Sequence, residues 1–283
     1  MFDIGHPEVR AAVERALEED IGSGDITSEL TVDGSLRARG RFLGRQDLIL
    51  AGVELLPLIY ELRGGSVHID LPFHSGDAVQ TNETIALVSG NARSLLECER
   101  VALNFLQRLS GIATLTRRYV DAVAGTRAKV LDTRKTTPGL RRLEKMAAAA
   151  GGATNHRLGL FDAVLIKNNH IAAAGGVTEA LRKARNFEGR VEIEVRTRKE
   201  LDEALAAGAK HLLLDNLSPR EAAQWIRDID RRAAIELSGN IDLKTIRSYA
   251  ETGPDYISCG AITHSAHAVD ISFRLTLQAA ECP

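Results

Sequence analysis

The stretch VEIEVRTRKELDEALAAGAKHLLLDNLSPREAAQWIRDIDRRAAIELSG (residues 191–239) alternates short apolar runs with segments rich in Ala, Glu and Arg. VEIEV, HLLLD and AIELSG read as strands; KELDEALAAG and PREAAQWIRDID between them read as helices. Strand, helix, strand at this spacing is the signature of βα units on a parallel sheet, because a parallel connection must cross back over one face. KVLDTR (129–134), AVLIK (163–167) and YISCG (256–260) are runs of the same kind. TEALRKAR (178–185) and LKTIRSYAETG (243–253) add helical stretches. At least six such units, without a GxGxxG fingerprint, predict an α/β barrel in preference to a doubly wound sheet.

Toward the N-terminus the rhythm differs. Pro7 opens a helical stretch through about Asp20, with Val9, Val13, Ala16 and Leu17 on one face. From Arg37 to Val88, short strand-like runs alternate with turn signals, which predicts a small α+β domain on an antiparallel sheet. An amphipathic helix is expected from about Ala92 to Leu109, and beyond Gly111 the βα rhythm begins.

The totals narrow the function. The chain has 283 residues and a net charge of −2, which excludes a globally basic nucleic-acid binder. Cys98, Cys259 and Cys282 lie far apart and form no CxxC pair, against a disulfide framework or a structural zinc site. The opening MFDIGHPEVR lacks a basic segment followed by an apolar one, and no apolar run approaches a bilayer span. A cytoplasmic protein with no membrane partner is expected.

In a βα barrel, function gathers at the carboxyl ends of the strands. Those ends carry Asp132, Arg134 and Lys135, then Lys167, Glu194, Asp215, Ser238 with Gly239, and Gly260. Between Arg127 and His170 there are nine Lys or Arg against three acids, in a chain that is slightly acidic overall. Such a local field suits a small polyanion, and arginine offers a planar fork for carboxylate or phosphate. Arg141 and Arg142 fit an ordinary solvated face; Arg134 and Lys167 do not, because each ends an apolar strand. Glu194 and Asp215 can hold Mg²⁺ or accept sugar hydroxyls. Glycine and serine in ELSGN and SCGAITHS can present backbone N–H groups to a phosphate.

With those residues in view, the chain resembles the quinolinate phosphoribosyltransferase family over almost its whole length. The matching motifs are EDIGSGDITS (19–28), ERVALNFLQRLSGIAT (99–114), LDTRKTTPGLR (131–141), NHRLGL (155–160), AVLIKNNHI (163–171), VEIEV (191–195), LLLDN (212–216) and YISCGAITHS (256–265). The resemblance implies an N-terminal open sandwich, residues 1–111 completed by 269–283, beside an incomplete, TIM-like α/β barrel at 112–268. It implies transfer of phosphoribosyl from phosphoribosyl pyrophosphate to quinolinate, with Mg²⁺, giving nicotinate mononucleotide, carbon dioxide and pyrophosphate in NAD biosynthesis. It also implies a homodimer or higher homo-oligomer with shared active sites.

Carried over residue by residue, Arg134, Arg157 and Lys167 would bind the quinolinate carboxylates with His156 beside them. Arg100 would reach in from the neighbouring subunit. Lys135 would face the pyrophosphate, and Glu194 and Asp215 the ribose hydroxyls and the metal, these three forming the catalytic set. Ser238, Gly239, Gly260 and His264 would line the phosphate pocket. Ala149, Ala153, Asn168, Arg196 and Asn240 depart from the family pattern; at Arg196 an acid often follows the strand. Two other readings compete: a phosphoribosyltransferase for a monocarboxylate such as nicotinate, needing fewer cations, and a catalytically silent anion-binding relative. Cys259 reads as a core residue, His6 as a turn residue, and His68, His74 and His211 as structural or exposed.

Overall fold

A computed structural model of the chain describes residues 3–277. The chain divides into two compact units. The first comprises residues up to Arg117, Thr136–Gly152 and the chain from Ser265 onward; the second comprises Arg118–Lys135 and Ala153–His264.

The first unit opens with helix α1 (Pro7–Ile21), where His6 Nδ1 accepts from the Glu8 N–H and Pro7 occupies the first turn. His6 thus caps a helix. A short α2 (Ile26–Thr31) is capped by Asp25, whose carboxylate accepts from the Ser28 N–H. Strands β1 (Arg37–Gly44), β2 (Leu48–Ile49), β3 (His68–Asp70), β4 (Ala78–Val79) and β5 (Thr84–Asn91) follow, with helix α3 (Leu55–Arg63) after β2. The expected antiparallel sheet is present: β1 pairs with β5, which pairs with β3. Helix α4 runs from Ala92 to Ala122, well past the Leu109 end expected from sequence. Gly111 interrupts the apolar pattern without ending the helix. A β-carbon there would stand 2.1 Å from the carbonyl oxygen of His267, so the glycine lets two backbone segments meet.

The second unit is built on strands β6 (Lys129–Leu131), β7 (Val164–Ile166), β8 (Val191–Val195), β9 (His211–Asp215), β10 (Ala234–Ser238) and β11 (Tyr256–Ser258). All are parallel, in the order β6-β11-β10-β9-β8-β7. Helix α5 (Arg141–Ala150) falls in the first unit; α6 (Asn168–Ala174), α7 (Val177–Ala184), α8 (Arg198–Ala206), α9 (Pro219–Ile229), α10 (Ile246–Ala250) and α11 (Ala261–His264) belong to the second. Thr197 and Ser218 start α8 and α9 with capping boxes to Glu200 and Glu221. The six strands form the expected incomplete barrel, with β6 and β7 at its two edges. A last strand, β12 (Ile271–Leu277), returns to the first unit and pairs antiparallel with β1. The end of the segment expected at 269–283, from residue 278, lies outside the described residues.

The alternation in VEIEV has a clear structural reading. Ile193 and Val195 are fully buried, as are Leu212 and Leu214 beside them on β9. Glu192 and Glu194 point to the opposite face, because successive side chains of a strand alternate. They are 2% and 3% exposed, so the barrel interior carries charge that must be partnered.

Candidate active site

A cavity of about 670 Å³ opens at the carboxyl ends of the parallel strands. It is lined by Arg134 and Lys135 after β6, His156 and Arg157 of the NHR loop, Lys167 after β7, and Glu194 on β8. Asp215, Ser238, Gly239, Gly260 and His264 complete the set expected from sequence, apart from Arg100. Arg100 lies in the first unit, exposed on α4. A larger cavity, about 850 Å³, lies by Arg127, Ala234 and Asp255 at the starts of the strands, and holds none of these residues.

Asp132 organises the basic side. Fully buried at the end of β6, it accepts from Asn155 Nδ2 and from the His156 backbone N–H, both at 2.7 Å. This ties the NHR loop to the strand that carries Arg134. Arg157 is anchored through Nη1 to the Ala163 carbonyl at 3.0 Å. Burial and the neighbouring Arg134 guanidinium push Arg157 below its ordinary range. Arg134 Nε is buried with no hydrogen-bond partner among the described residues. Two guanidinium groups thus stand close together at the cavity with no carboxylate ion-paired to either among the described residues, which is the charge pattern of an anion site.

The basic stretch read from sequence only partly converges. Arg127 pairs with Asp255, while Arg142 pairs with Glu8 in the first unit at 2.8 Å. Arg141 donates to Thr136 Oγ1. Four of the nine cations, Arg134, Lys135, Arg157 and Lys167, line the cavity.

The acidic side is held by strand register. Glu194 stands level with Leu213 on β9 and with Glu236 on β10, and Asp215 stands level with Ser238. Asp215 accepts from Ser238 Oγ at 2.8 Å and from Asn216 Nδ2 at 2.7 Å. Lys167 Nζ lies 3.2 Å from Glu194 Oε2. Arg196 Nη2 lies 2.8 Å from Glu194 Oε1 and 3.1 Å from Asp215 Oδ2.

Gly239 has φ of 103°, and a β-carbon there would stand 2.3 Å from Asn216 Oδ1. Asn240 follows with φ of 50°, a left-handed conformation that asparagine tolerates better than most residues, so its departure from glycine fits the backbone. Ala153 is buried with ordinary φ, while Gly152 before it carries the positive value of 101°. Asn168 starts α6, and its Oδ1 accepts from the Asn169 N–H. His170 turns back to cap the same helix, its Nδ1 accepting from the Lys167 N–H.

At the cavity lies a cluster of which sequence reasoning found only His156. His156 Nε2 is 3.5 Å from both Glu192 Oε2 and Glu236 Oε2, and Arg190 pairs with both carboxylates. The ligand atoms of His156, Glu192 and Glu236 lie within 4.8 Å of one another, a spacing that could hold a metal ion, but the Arg190 guanidinium already supplies the positive charge. The signal was available: a glutamate at alternate positions of VEIEV and inside AIELS cannot be a solvated end. Burial works against the charge of Glu192, but bonds to His156 and Arg190 outweigh it and hold its carboxyl below the usual range. Glu236 is pushed up to about 8 by burial and by the neighbouring Glu192 charge.

That difference predicts a pH effect. A carboxyl whose folded-state value lies above its unfolded value stabilises the protein fully below the unfolded value, near 4.5. That contribution is lost as pH rises through about 8. Glu236→Gln, which stays neutral, should gain roughly 2–4 kcal/mol on the parent between pH 5 and pH 8.5. Denaturant melts at the two pH values check this; a difference independent of pH would contradict it.

Cys98 and Cys259 are buried free thiols, each pushed up to about 12 by burial, which suits core residues and not nucleophiles.

Fold and site together define a parallel α/β protein with cations and carboxylates gathered in one cavity at the carboxyl ends of its strands. The chain belongs to the quinolinate phosphoribosyltransferase family: the family's N-terminal domain matches residues 25–110 and its C-terminal domain residues 112–274. It is 40% identical to the probable nicotinate-nucleotide pyrophosphorylase (carboxylating) of Bacillus subtilis (strain 168), over 97% of this chain and 96% of that protein. It is also 40% identical to the chloroplastic nicotinate-nucleotide pyrophosphorylase (carboxylating) of Arabidopsis thaliana, over 97% of this chain and 85% of that protein. Among solved structures, NadC from Streptococcus pyogenes superposes with a TM-score of 0.92 at 41% identity, covering 96% of this chain and 98% of that one. No helix among the described residues is long and apolar enough to cross a membrane.

Proposed function

We propose that the protein is a decarboxylating quinolinate phosphoribosyltransferase. It joins quinolinate to the ribose of phosphoribosyl pyrophosphate, releasing pyrophosphate and carbon dioxide and giving nicotinate mononucleotide, a step of de novo NAD biosynthesis. The observation that carries this reading is the pair of guanidinium groups, Arg134 and Arg157, without ion-paired carboxylates among the described residues, at the mouth that also holds Lys167.

Arg134, Arg157 and Lys167 hold the two carboxylates of the pyridine ring, with His156 against its edge. The ring nitrogen is thereby fixed toward the ribose, an advantage of orientation over chance encounter. Ser238, Gly239, Gly260 and His264 receive the ribose phosphate. Gly260 leaves room there: a β-carbon would stand 2.9 Å from Lys135 Cδ. Lys135 faces the departing pyrophosphate, and Glu194 and Asp215 take the ribose hydroxyls.

The same two carboxylates fit a hard cation. Both present oxygens at adjacent strand ends, and their ion-pair partners are the half-exposed side chains of Lys167 and Arg196. Mg²⁺ held there would neutralise negative charge gathering on the leaving pyrophosphate. After the C–N bond forms, the 2-carboxylate leaves as carbon dioxide, and its electron pair stays on C2 beside the cationic ring nitrogen. A proton then replaces the lost group.

A homodimer in which Arg100 enters the partner's cavity is part of the proposal, supported by the exposure of Arg100 on α4. Residence in the cytoplasm is supported by the free thiols of Cys98 and Cys259. The alternative of a monocarboxylate substrate is disfavoured by three cations in one pocket, and a silent relative by retention of every cavity residue named above. Purified protein given quinolinate, phosphoribosyl pyrophosphate and Mg²⁺ should release pyrophosphate and carbon dioxide in equal amounts. Pyrophosphate release with nicotinate and none with quinolinate would refute the substrate assignment.

A further inference from the structure

One nitrogen of Arg196 touches two carboxylates on different strands. Nη2 lies 2.8 Å from Glu194 Oε1 and 3.1 Å from Asp215 Oδ2. The remaining oxygens are also taken: Glu194 Oε2 faces Lys167 Nζ, and Asp215 Oδ1 accepts from Ser238 Oγ. Two cations therefore balance two carboxylates, and the group is neutral as it stands.

A divalent cation reaching these oxygens would lie a few ångströms from the guanidinium, where like charges repel. One of the two must leave, and the structure indicates which. The side chains of Glu194 and Asp215 are 3% and 13% exposed, whereas that of Arg196 is 47% exposed. The Arg196 backbone is pinned just after β8 by its N–H donating to Glu200 Oε2 at 2.8 Å. The side chain can therefore swing about a fixed origin while the carboxylates stay put. A pyrophosphate group offers the guanidinium a forked acceptor and the metal a counter-charge at once.

We propose that Arg196 and a divalent cation compete for the Glu194–Asp215 pair, so that Arg196 keeps the ligand-free protein a poor binder of divalent cations. The cation then enters together with the pyrophosphate-bearing substrate, which draws Arg196 away. By linkage, removing Arg196 strengthens cation binding to the free protein and weakens the dependence of that binding on substrate. The inference rests on the reading of Glu194 and Asp215 as metal ligands.

The test is a titration of the full chain with Mn²⁺ alone, followed by electron paramagnetic resonance of the free ion. Parent, Arg196→Ala, Arg196→Lys and the double variant Arg196→Ala with Glu194→Gln are compared, each first shown to melt cooperatively. Arg196→Ala should bind one Mn²⁺ about tenfold or more tightly than the parent, a gain limited by solvent screening of the half-exposed guanidinium. Arg196→Lys should stay near the parent, and the double variant should lose the gain. A chelator-sensitive parent whose Arg196→Ala variant binds Mn²⁺ no more tightly would overturn the competition alone. Full turnover of the parent in chelator would remove the metal reading, and the competition with it.

Discussion

Arg134→Ala is expected to weaken quinolinate binding by about 2–5 kcal/mol, the cost typical of breaking a buried, hydrogen-bonded charge pair at an interface. That corresponds to a rise in Kd of roughly thirty- to several-thousand-fold. The loss should be severe because Arg134 already carries a buried Nε with no hydrogen bond among the described residues, a donor left open to a ligand. Without it, one substrate carboxylate would be desolvated beside Arg157 alone. The fold should survive, because no ion pair of the barrel depends on this side chain among the described residues. Calorimetric titration with quinolinate measures the effect. Binding equal to the parent's would move the dicarboxylate to another part of the cavity.

The second large effect concerns the proposed sharing of sites between subunits. Arg100→Ala should melt like the parent, within about 0.5 kcal/mol as for most surface substitutions, yet lose most of its turnover. Lys167→Ala should also be inactive, because it leaves Glu194 with a buried oxygen stripped of its ammonium partner. Mixed dimers of the two variants discriminate the arrangement. If Arg100 serves the partner's cavity, one site of each mixed dimer carries both defects and the other carries neither, so activity returns in part after subunit exchange. Absence of recovery in confirmed mixed dimers would place both residues in one chain's site.

Much of the fold was legible because burial is periodic. In 191–239 the outward residues of β8 and β9 are uniformly aliphatic and the intervening helices are capped by Thr197 and Ser218, so pattern and boundary signals agree. Helix α4 outruns the end that sequence predicts because Gly111 looks like a terminus when only propensity is considered; its reason is the His267 backbone, more than 150 residues away in sequence. The strand-end residues were found individually, but their neighbours were not. Glu192, Arg190 and Glu236 act through one another across the neighbouring strands β8, β9 and β10, and composition cannot show strand order. The converse error appears in the basic stretch, where adjacency in the chain suggested one field. Topology sends Arg127 to Asp255 and Arg142 to Glu8 instead.

The opposed faces of β8 also guard the assembly of the sheet. A slip of one residue against β9 would carry Glu192 and Glu194 under the helices and turn Ile193 and Val195 into the charged interior. Both faces would be wrong at once: acids without arginine or histidine on one side, aliphatics against ionised groups on the other. A one-residue misregister is therefore strongly disfavoured, and the strand that supplies an acid to the cavity also specifies its own alignment.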